Sequence, residues 1–410
     1  MIQYKYILNK RYNNEEKIKS EQNIIIIMDA IKKIMTIFLG PFLTAYFISP
    51  STNSILNIAI YYIFTYATMA LSTLVVAVLA EKRNRIKIFR IGIILNFICI
   101  LIIILLKEKI INYLPIISIL YGISASCYYF PYNLFIINKV KNTERTNYMV
   151  KLFITISVVG ILFPIIFGSI ITITNYILTA VIVLFISLIQ IILSFFITDN
   201  HNGDLEEYNL KKAWLELKKN KQVINCLAGE FFIGMNICNG ALETVMVILI
   251  LNSFKTNINL GIITSIATLL SILVVKIYGL IYNKRDDKKV IIISSIIPVI
   301  SLIIFLILKT NTTVIIYKFS YVIFAEILSL VRKIKIFNLS NSKIVNKSNQ
   351  CEFNAIREVT LNVGRVTGYT LLLLAGLTQS AVVLNIVTII LTLSLLVMSI
   401  NLTKVKKNNY

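Results

Sequence analysis

The sequence predicts an all-α membrane protein of twelve transmembrane helices, and three observations carry the prediction. Of its 410 residues, 57% are hydrophobic and 15% charged, whereas soluble domains carry about 25% charged residues. The apolar residues come in blocks of roughly twenty, the length that crosses a hydrocarbon layer. Short clusters rich in Lys and Arg separate the blocks, as in the loops of a polytopic membrane protein. Mean hydropathy is accordingly high, at +0.81.

In chain order, the blocks place spans at 26–49, 54–79, 89–106, 112–137, 149–173 and 176–198, then at 223–251, 258–281, 289–308, 311–331, 353–377 and 379–402. The polar segment 199–222 divides them into an N-terminal six-helix bundle over 1–198 and a C-terminal six-helix bundle over 223–410. Within that linker Leu210, Ala213, Trp214 and Leu217 recur at helical spacing among lysines. This is a short basic amphipathic helix, lying on the inner membrane surface or serving as a solvated connector. The first span carries Asp29, Lys32 and Lys33 near its inner end, which must snorkel or find partners.

A net charge of +22 raises the question of nucleic acid, but the basic residues sit where topology puts them. With both termini cytoplasmic, the inner loops collect most of the Lys and Arg, while the outer loops keep only Lys107, Lys109, Lys255 and Lys309. The protein is therefore expected in the cell membrane, without nucleic acid as partner. The first apolar block follows a charged leader and lacks a small-residue cleavage site, so no signal peptide is expected. Cys99, Cys127, Cys226, Cys238 and Cys351 form no CxxC pair, and His201 stands alone in a polar stretch. No metal or cofactor is expected from them.

An internal repeat links the halves. AVLAEKRNRIK begins at Ala77 and GLIYNKRDDKK at Gly279, 202 residues later, each in the loop after the second span of its half. At these residues the chain resembles the major facilitator superfamily, whose loop signature reads roughly G-x-x-x-D-R-x-G-R-R. Ala77 and Gly279 stand at the first glycine, Glu81 and Asn283 at the aspartate, and Lys82 and Lys284 at the arginine. The resemblance implies two pseudo-symmetric bundles rocking about a midplane site. It also implies that Glu81, Lys82, Arg85, Gly279, Lys284 and Arg285 act as a conformational latch, the acid facing a neighbouring helix N-terminus.

Ionisable residues inside a span cost about 2.5–3.5 kcal/mol each at the least. They fall in spans 1, 7, 8, 10 and 11 and almost nowhere in spans 3, 6, 9 and 12, which in the resembled family are the outer supports. In span 7, Asn225, Asn236, Asn239 and Glu243 fall within about 60° of one another on an unbroken helix. Gly234 and Gly240 allow a close approach or bend there, and Glu230 lies off the stripe as a structural pair or snorkelling carboxylate. In span 11, Glu358, Asn362, Arg365 and Tyr369 share one face, and span 10 carries Lys318 and Glu326. Glu326 and Arg365 either pair structurally or belong to a substrate or proton pathway with Asn236, Asn239, Glu243, Glu358 and Asn362. Lys276 in span 8 snorkels.

The N-terminal half contributes tyrosines instead. Tyr121, Ser124, Tyr128 and Tyr132 share a face of span 4, and Tyr62, Thr65, Tyr66 and Thr73 lie in span 2. Tyr128 and Tyr132 are the expected pathway residues; simple packing is the alternative for such a stripe. Gly160, Pro164 and Gly168 in span 5 faintly echo the glycine-proline element of the family's antiporters, and small residues there also serve packing. The resemblance and the intramembrane charges together imply a monomeric secondary transporter of a small organic solute, coupled to protons and exporting. A flippase of another twelve-span fold and a membrane-embedded enzyme are the alternatives. Against the enzyme, the sequence shows no DDxxD motif, Walker loop or nucleophile elbow.

Overall fold

At membrane depth no water bonds the backbone, so each apolar block must satisfy its own N–H and C=O groups within a helix. The computed structural model describes residues 2–48, 54–82, 85–140, 145–198, 208–237, 239–281, 287–340, 342, 344–345 and 349–405, with no strand among them. The helices are α1 (Ile2–Ile37), α2 (Leu43–Ile48), α3 (Ser54–Lys82), α4 (Arg85–Leu106), α5 (Leu114–Lys139), α6 (Arg145–Ile173) and α7 (Tyr176–Ser194). After them come α8 (Leu210–Leu217), α9 (Lys221–Asn236), α10 (Ala241–Phe254), α11 (Asn257–Ile281), α12 (Asp287–Leu308), α13 (Asn311–Ser340), α14 (Gln350–Thr378) and α15 (Ala381–Lys404). A π-helical turn over Phe38–Phe42 joins α1 to α2.

Among the described residues ten segments are long and apolar enough to cross a membrane, α9 and α10 together forming one of them. The α1–α2 segment and α14 are the more polar helices, with Asp29, Lys32 and Lys33 in one and Glu352, Arg357, Glu358 and Arg365 in the other. Those two helices nevertheless pack inside the ring of apolar ones, α1 on α6 and α7, α14 on α3 and α9. The surface is apolar, with Leu105 71%, Phe185 63% and Ile307 73% exposed, while Lys32, Glu230, Lys318 and Arg365 are buried. Such an inside-out distribution suits hydrocarbon as solvent.

Helix packing repeats itself. Before the 199–222 segment the packed pairs include α3–α5, α4–α5, α4–α7, α1–α6 and α1–α7; after it they include α11–α13, α12–α13, α12–α15, α9–α14 and α9–α15. Each pair in the first set becomes one in the second when α1, α3, α4, α5, α6 and α7 are matched in order with α9 and α11 to α15. The two sets meet chiefly through α3–α14 and α6–α11, which the same matching exchanges. Local backbone agrees: Lys107 and Lys309, 202 residues apart, both adopt left-handed φ, 48° and 49°, at the ends of α4 and α12.

The matched first helices are both interrupted midway. Pro41 sits within the π turn after α1, where its missing N–H disturbs the ladder. Between α9 and α10, Asn239 takes a left-handed φ of 65°, which Asn tolerates better than most residues. The unbroken helix expected for span 7 is therefore two helices, and its polar stripe is split between two directions.

Close helix approach rests on glycine. A Cβ on Gly234 would lie 2.1 Å from the Leu361 carbonyl oxygen, and one on Gly364 2.0 Å from that of Phe231, so α9 and α14 meet backbone to backbone. The span 5 stripe has the same use, since Gly168 abuts the Asn257 carbonyl and the Pro164 carbonyl abuts Gly261 of α11. Helix α8 is present where its spacing placed it, its apolar side packed on the protein and its lysines exposed. Ala213 and Leu217 are buried against Val223, Leu339 and Phe353, Asn209 donates its N–H to Glu352 at 3.1 Å, and Trp214 turns outward.

Gly364→Ala is expected to lower stability by about 1–3 kcal/mol through overpacking. Gly40→Ala, where the nearest atom is the Tyr62 hydroxyl at 4.0 Å, should be close to neutral. Thermal unfolding of the two purified variants checks the difference.

Candidate substrate cavity

Both helix interruptions open onto one small cavity. Thr36, Leu39, Gly40, Pro41 and Thr44 line it from the α1–α2 segment, Tyr62 and Tyr66 from α3, and Tyr121 from α5. Asn239, Glu243, Thr244 and Val247 line it from the α10 side and Tyr369 from α14. None of these residues belongs to α4, α7, α12 or α15, the helices equivalent to spans 3, 6, 9 and 12.

Glu243 lies in the first turn of α10, where its Oε2 accepts the Asn239 N–H at 3.1 Å. Helix starts leave N–H groups unmet and favour a carboxylate. Among the described residues no Lys or Arg forms an ion pair with it; the charges within electrostatic reach are Lys33, Lys318 and Glu326. Lys318 is buried, Lys33 half-buried and Glu326 exposed. Opposite lie stacked rings: Tyr62 on Tyr369 at 4.5 Å, Tyr62 on Tyr66 at 5.9 Å and Tyr66 on Tyr369 at 5.7 Å. The Tyr369 hydroxyl is 2.8 Å from that of Thr244, and the Tyr62 hydroxyl 3.4 Å from that of Thr44.

The remaining residues singled out from sequence are distributed around this cavity rather than in it. Asn236 turns the other way, donating to Ser394 of α15 at 2.6 Å while its carbonyl accepts the Tyr321 hydroxyl at 2.6 Å. Arg365 donates to Asn362 at 2.7 Å and lies 4.8 Å from the Tyr66 ring; Glu326 is not among its described contacts. Tyr128 and Tyr132 lie outside the cavity lining: the Tyr128 ring is 4.9 Å from that of Phe89, tilted by 32°, and Tyr132 faces Asp29. Lys32 neither snorkels nor ion-pairs among the described residues. It donates to Asn96 at 3.2 Å amid the rings of Tyr121, Tyr128 and Tyr129, 5.2–5.7 Å away. Of the latch residues, Lys284 and Arg285 lie outside the described residues, as do the side chains of Glu81 and Lys82 and the surroundings of Gly279. Arg85 is described, and its Nε donates to the Ala80 carbonyl at 3.1 Å.

A buried charge network lies apart from the cavity. Glu230, wholly buried, pairs with Arg332 of α13 at 3.2 Å and Arg357 of α14 at 3.3 Å. Arg357 also pairs with its neighbour Glu358, which accepts from Asn133 of α5 at 3.3 Å. The chain thus crosses from α13 through α9 and α14 to α5, joining the two packing sets. Sequence reading missed Arg332 and Arg357, the partners of Glu230. Both stand at span ends, where a basic residue reads as topology; the acid opposite each was the available signal.

Glu230→Gln leaves two guanidinium groups facing each other without their acid, a loss of about 3–5 kcal/mol. Glu326→Gln, at an exposed position, should stay within about 0.5 kcal/mol. Thermal unfolding of both variants side by side tests the contrast.

Comparison with known proteins places this architecture. The family profile described as Major Facilitator Superfamily matches residues 24–332. No curated protein matches the chain significantly. Among solved structures, that of the nucleoside transporter NupG superposes with a TM-score of 0.67 at 12% identity, covering 95% of this chain and 100% of that one. A bacterial homologue of the human lysosomal transporter Spinster, in an inward-facing and unoccupied conformation, superposes at 0.62 with 13% identity, covering 96% and 99%. The fold is therefore shared over nearly the whole chain, including the last two spans that the profile leaves unmatched. With a family profile spanning most of its length, the chain belongs to the Major Facilitator Superfamily, a family of membrane transporters.

Proposed function

We propose that this protein is a proton-coupled carrier that exports a small organic solute across the cell membrane by alternating access, acting as a monomer. The carrying observation is Glu243: a carboxylate at a broken helix, lining the cavity, with no ion pair among the described residues. A carboxylate so placed exchanges a proton when the cavity changes sides, while the tyrosine wall holds the solute's apolar body. The N-terminal bundle 1–198 and the C-terminal bundle 223–410 rock about the contacts of α3 with α14 and α6 with α11, with the linker 199–222 and both termini cytoplasmic. The α1–α2 segment and α14 complete twelve spans. The Gly160–Pro164–Gly168 stripe on the α6–α11 seam supports export over uptake.

In proteoliposomes screened with organic solutes, an inward-acid pH gradient should drive accumulation of the transported one. Glu243→Gln should reduce that accumulation to the level without a gradient; gradient-driven transport by a folded Glu243→Gln would remove this residue from coupling.

Topology is separately testable. A single cysteine at Asn257 should react with an impermeant thiol reagent applied outside intact cells, and one at Asn202 should not. Labelling at 202 would reverse the orientation.

A further inference from the structure

We propose that the cavity selects organic cations carrying a flat aromatic or otherwise ring-shaped body. The assignment rests on the carrier reading above and names the substrate class of the same site. Among the thirteen lining residues Glu243 alone is ionisable near neutrality; the rest are four tyrosines, three threonines, an asparagine and apolar residues. The Asn239 N–H already serves Oε2 of Glu243, and Oε1 accepts nothing among the described residues. The hydroxyls of Tyr62 and Tyr369 are engaged with Thr44 and Thr244, so neither is a free donor; the two rings stack on each other at 4.5 Å and turn only their remaining aromatic surface to the cavity. Acceptors and π faces suit an ammonium and serve an anion poorly.

The same aromatic cluster already holds cations at its edges. The Arg365 guanidinium lies 4.8 Å from the Tyr66 ring, and the Lys32 ammonium 5.4 Å from the Tyr121 ring. Both rings also line the cavity. Repulsion from the protein's own cations is the opposing effect. Glu243 is faced by Lys33 from α1, by Lys318 and Glu326 from α13, and by Tyr62, Tyr66 and Tyr369 from α3 and α14. Glu243, Glu326, Lys33 and Lys318 sum to zero when ionised, Arg365 and Lys32 add positive charge behind the Tyr66 and Tyr121 rings, and none of these four cations lines the cavity. A cation inside it would touch the carboxylate directly, and the Coulomb term is largest at contact. Carboxylate and rings therefore prevail. Proton and cation then compete for one carboxylate, so binding weakens as pH falls and Glu243 is neutralised.

Two probes of similar shape and opposite fixed charge test the assignment: phenyltrimethylammonium and benzenesulfonate, titrated against the full chain in nanodiscs. The cation should bind, more weakly at low pH, and benzenesulfonate should not. Glu243→Gln should weaken cation binding at least tenfold. Tyr62→Leu should weaken it about fivefold, a typical cation–π loss, while Tyr62→Phe, which keeps the ring, should stay within about twofold. A monodisperse elution profile and an unchanged melting temperature establish that each variant is folded. The assignment is overturned if benzenesulfonate binds as well as the cation, if neither binds, or if Glu243→Gln binds the cation normally. Exchange of the same probes across proteoliposomes separates the two readings. Exchange of benzenesulfonate alone would leave a carrier and remove the cation assignment. Cation binding through Glu243 without exchange would leave the assignment and remove the carrier.

Discussion

A charge at membrane depth needs water, a partner or the protein interior, because hydrocarbon solvates none of it, and this constraint orders the molecule from the inside outward. Glu230 is the plainest case, wholly buried and holding Arg332 and Arg357. Once those three groups must meet, α9, α13 and α14 must be neighbours, and the apolar helices α12 and α15 are left to face lipid. Lys32 imposes the equivalent on the N-terminal side. Its ammonium draws α1 against the Asn96 side chain of α4 and the tyrosines of α5.

Close contact between helices is a second consequence. Hydrocarbon gives helices no hydrophobic reason to associate, so packing must come from van der Waals contact and hydrogen bonds. Glycines at the α9–α14 and α6–α11 crossings bring backbones together, leaving α10 and the α1–α2 turn to diverge around the cavity. The cavity thus exists because the first helix of each half is broken while its neighbours are pinned. Its carboxylate sits at the new helix start that the break creates, and the tyrosines facing it belong to helices that the seam holds in place.

The two charge systems differ in what they can do. In the Glu230 network the acid is shared between two cations, and the Asn133 contact ties it across the halves, so its first effect is on stability. Glu243 forms no ion pair among the described residues and lines the cavity. Burial with a partner builds structure; burial without one leaves a group able to take a proton or a ligand.

Much of the architecture was legible in the sequence, because span length and Lys/Arg placement are properties of single segments read against the bilayer. The blocks, the linker helix, the 202-residue repeat and the inward placement of charge in spans 1, 7, 10 and 11 follow from that physics. Asn239 and Glu243 were legible too, as polar residues with no other reason to be in span 7. What only the tertiary structure decided was direction and partnership. Asn236, four residues before the break's end at Gly240, shares a face with Glu243 on an unbroken helix, yet the left-handed turn at Asn239 sends it to Ser394 instead. Tyr62, Tyr66 and Tyr121 line the cavity while Tyr128 and Tyr132 do not, because helical spacing identifies a face and not the depth at which two helices part. Arg365 meets the Tyr66 ring, a contact set by how two helices distant in sequence cross. Periodicity along one chain segment carries no information about that crossing.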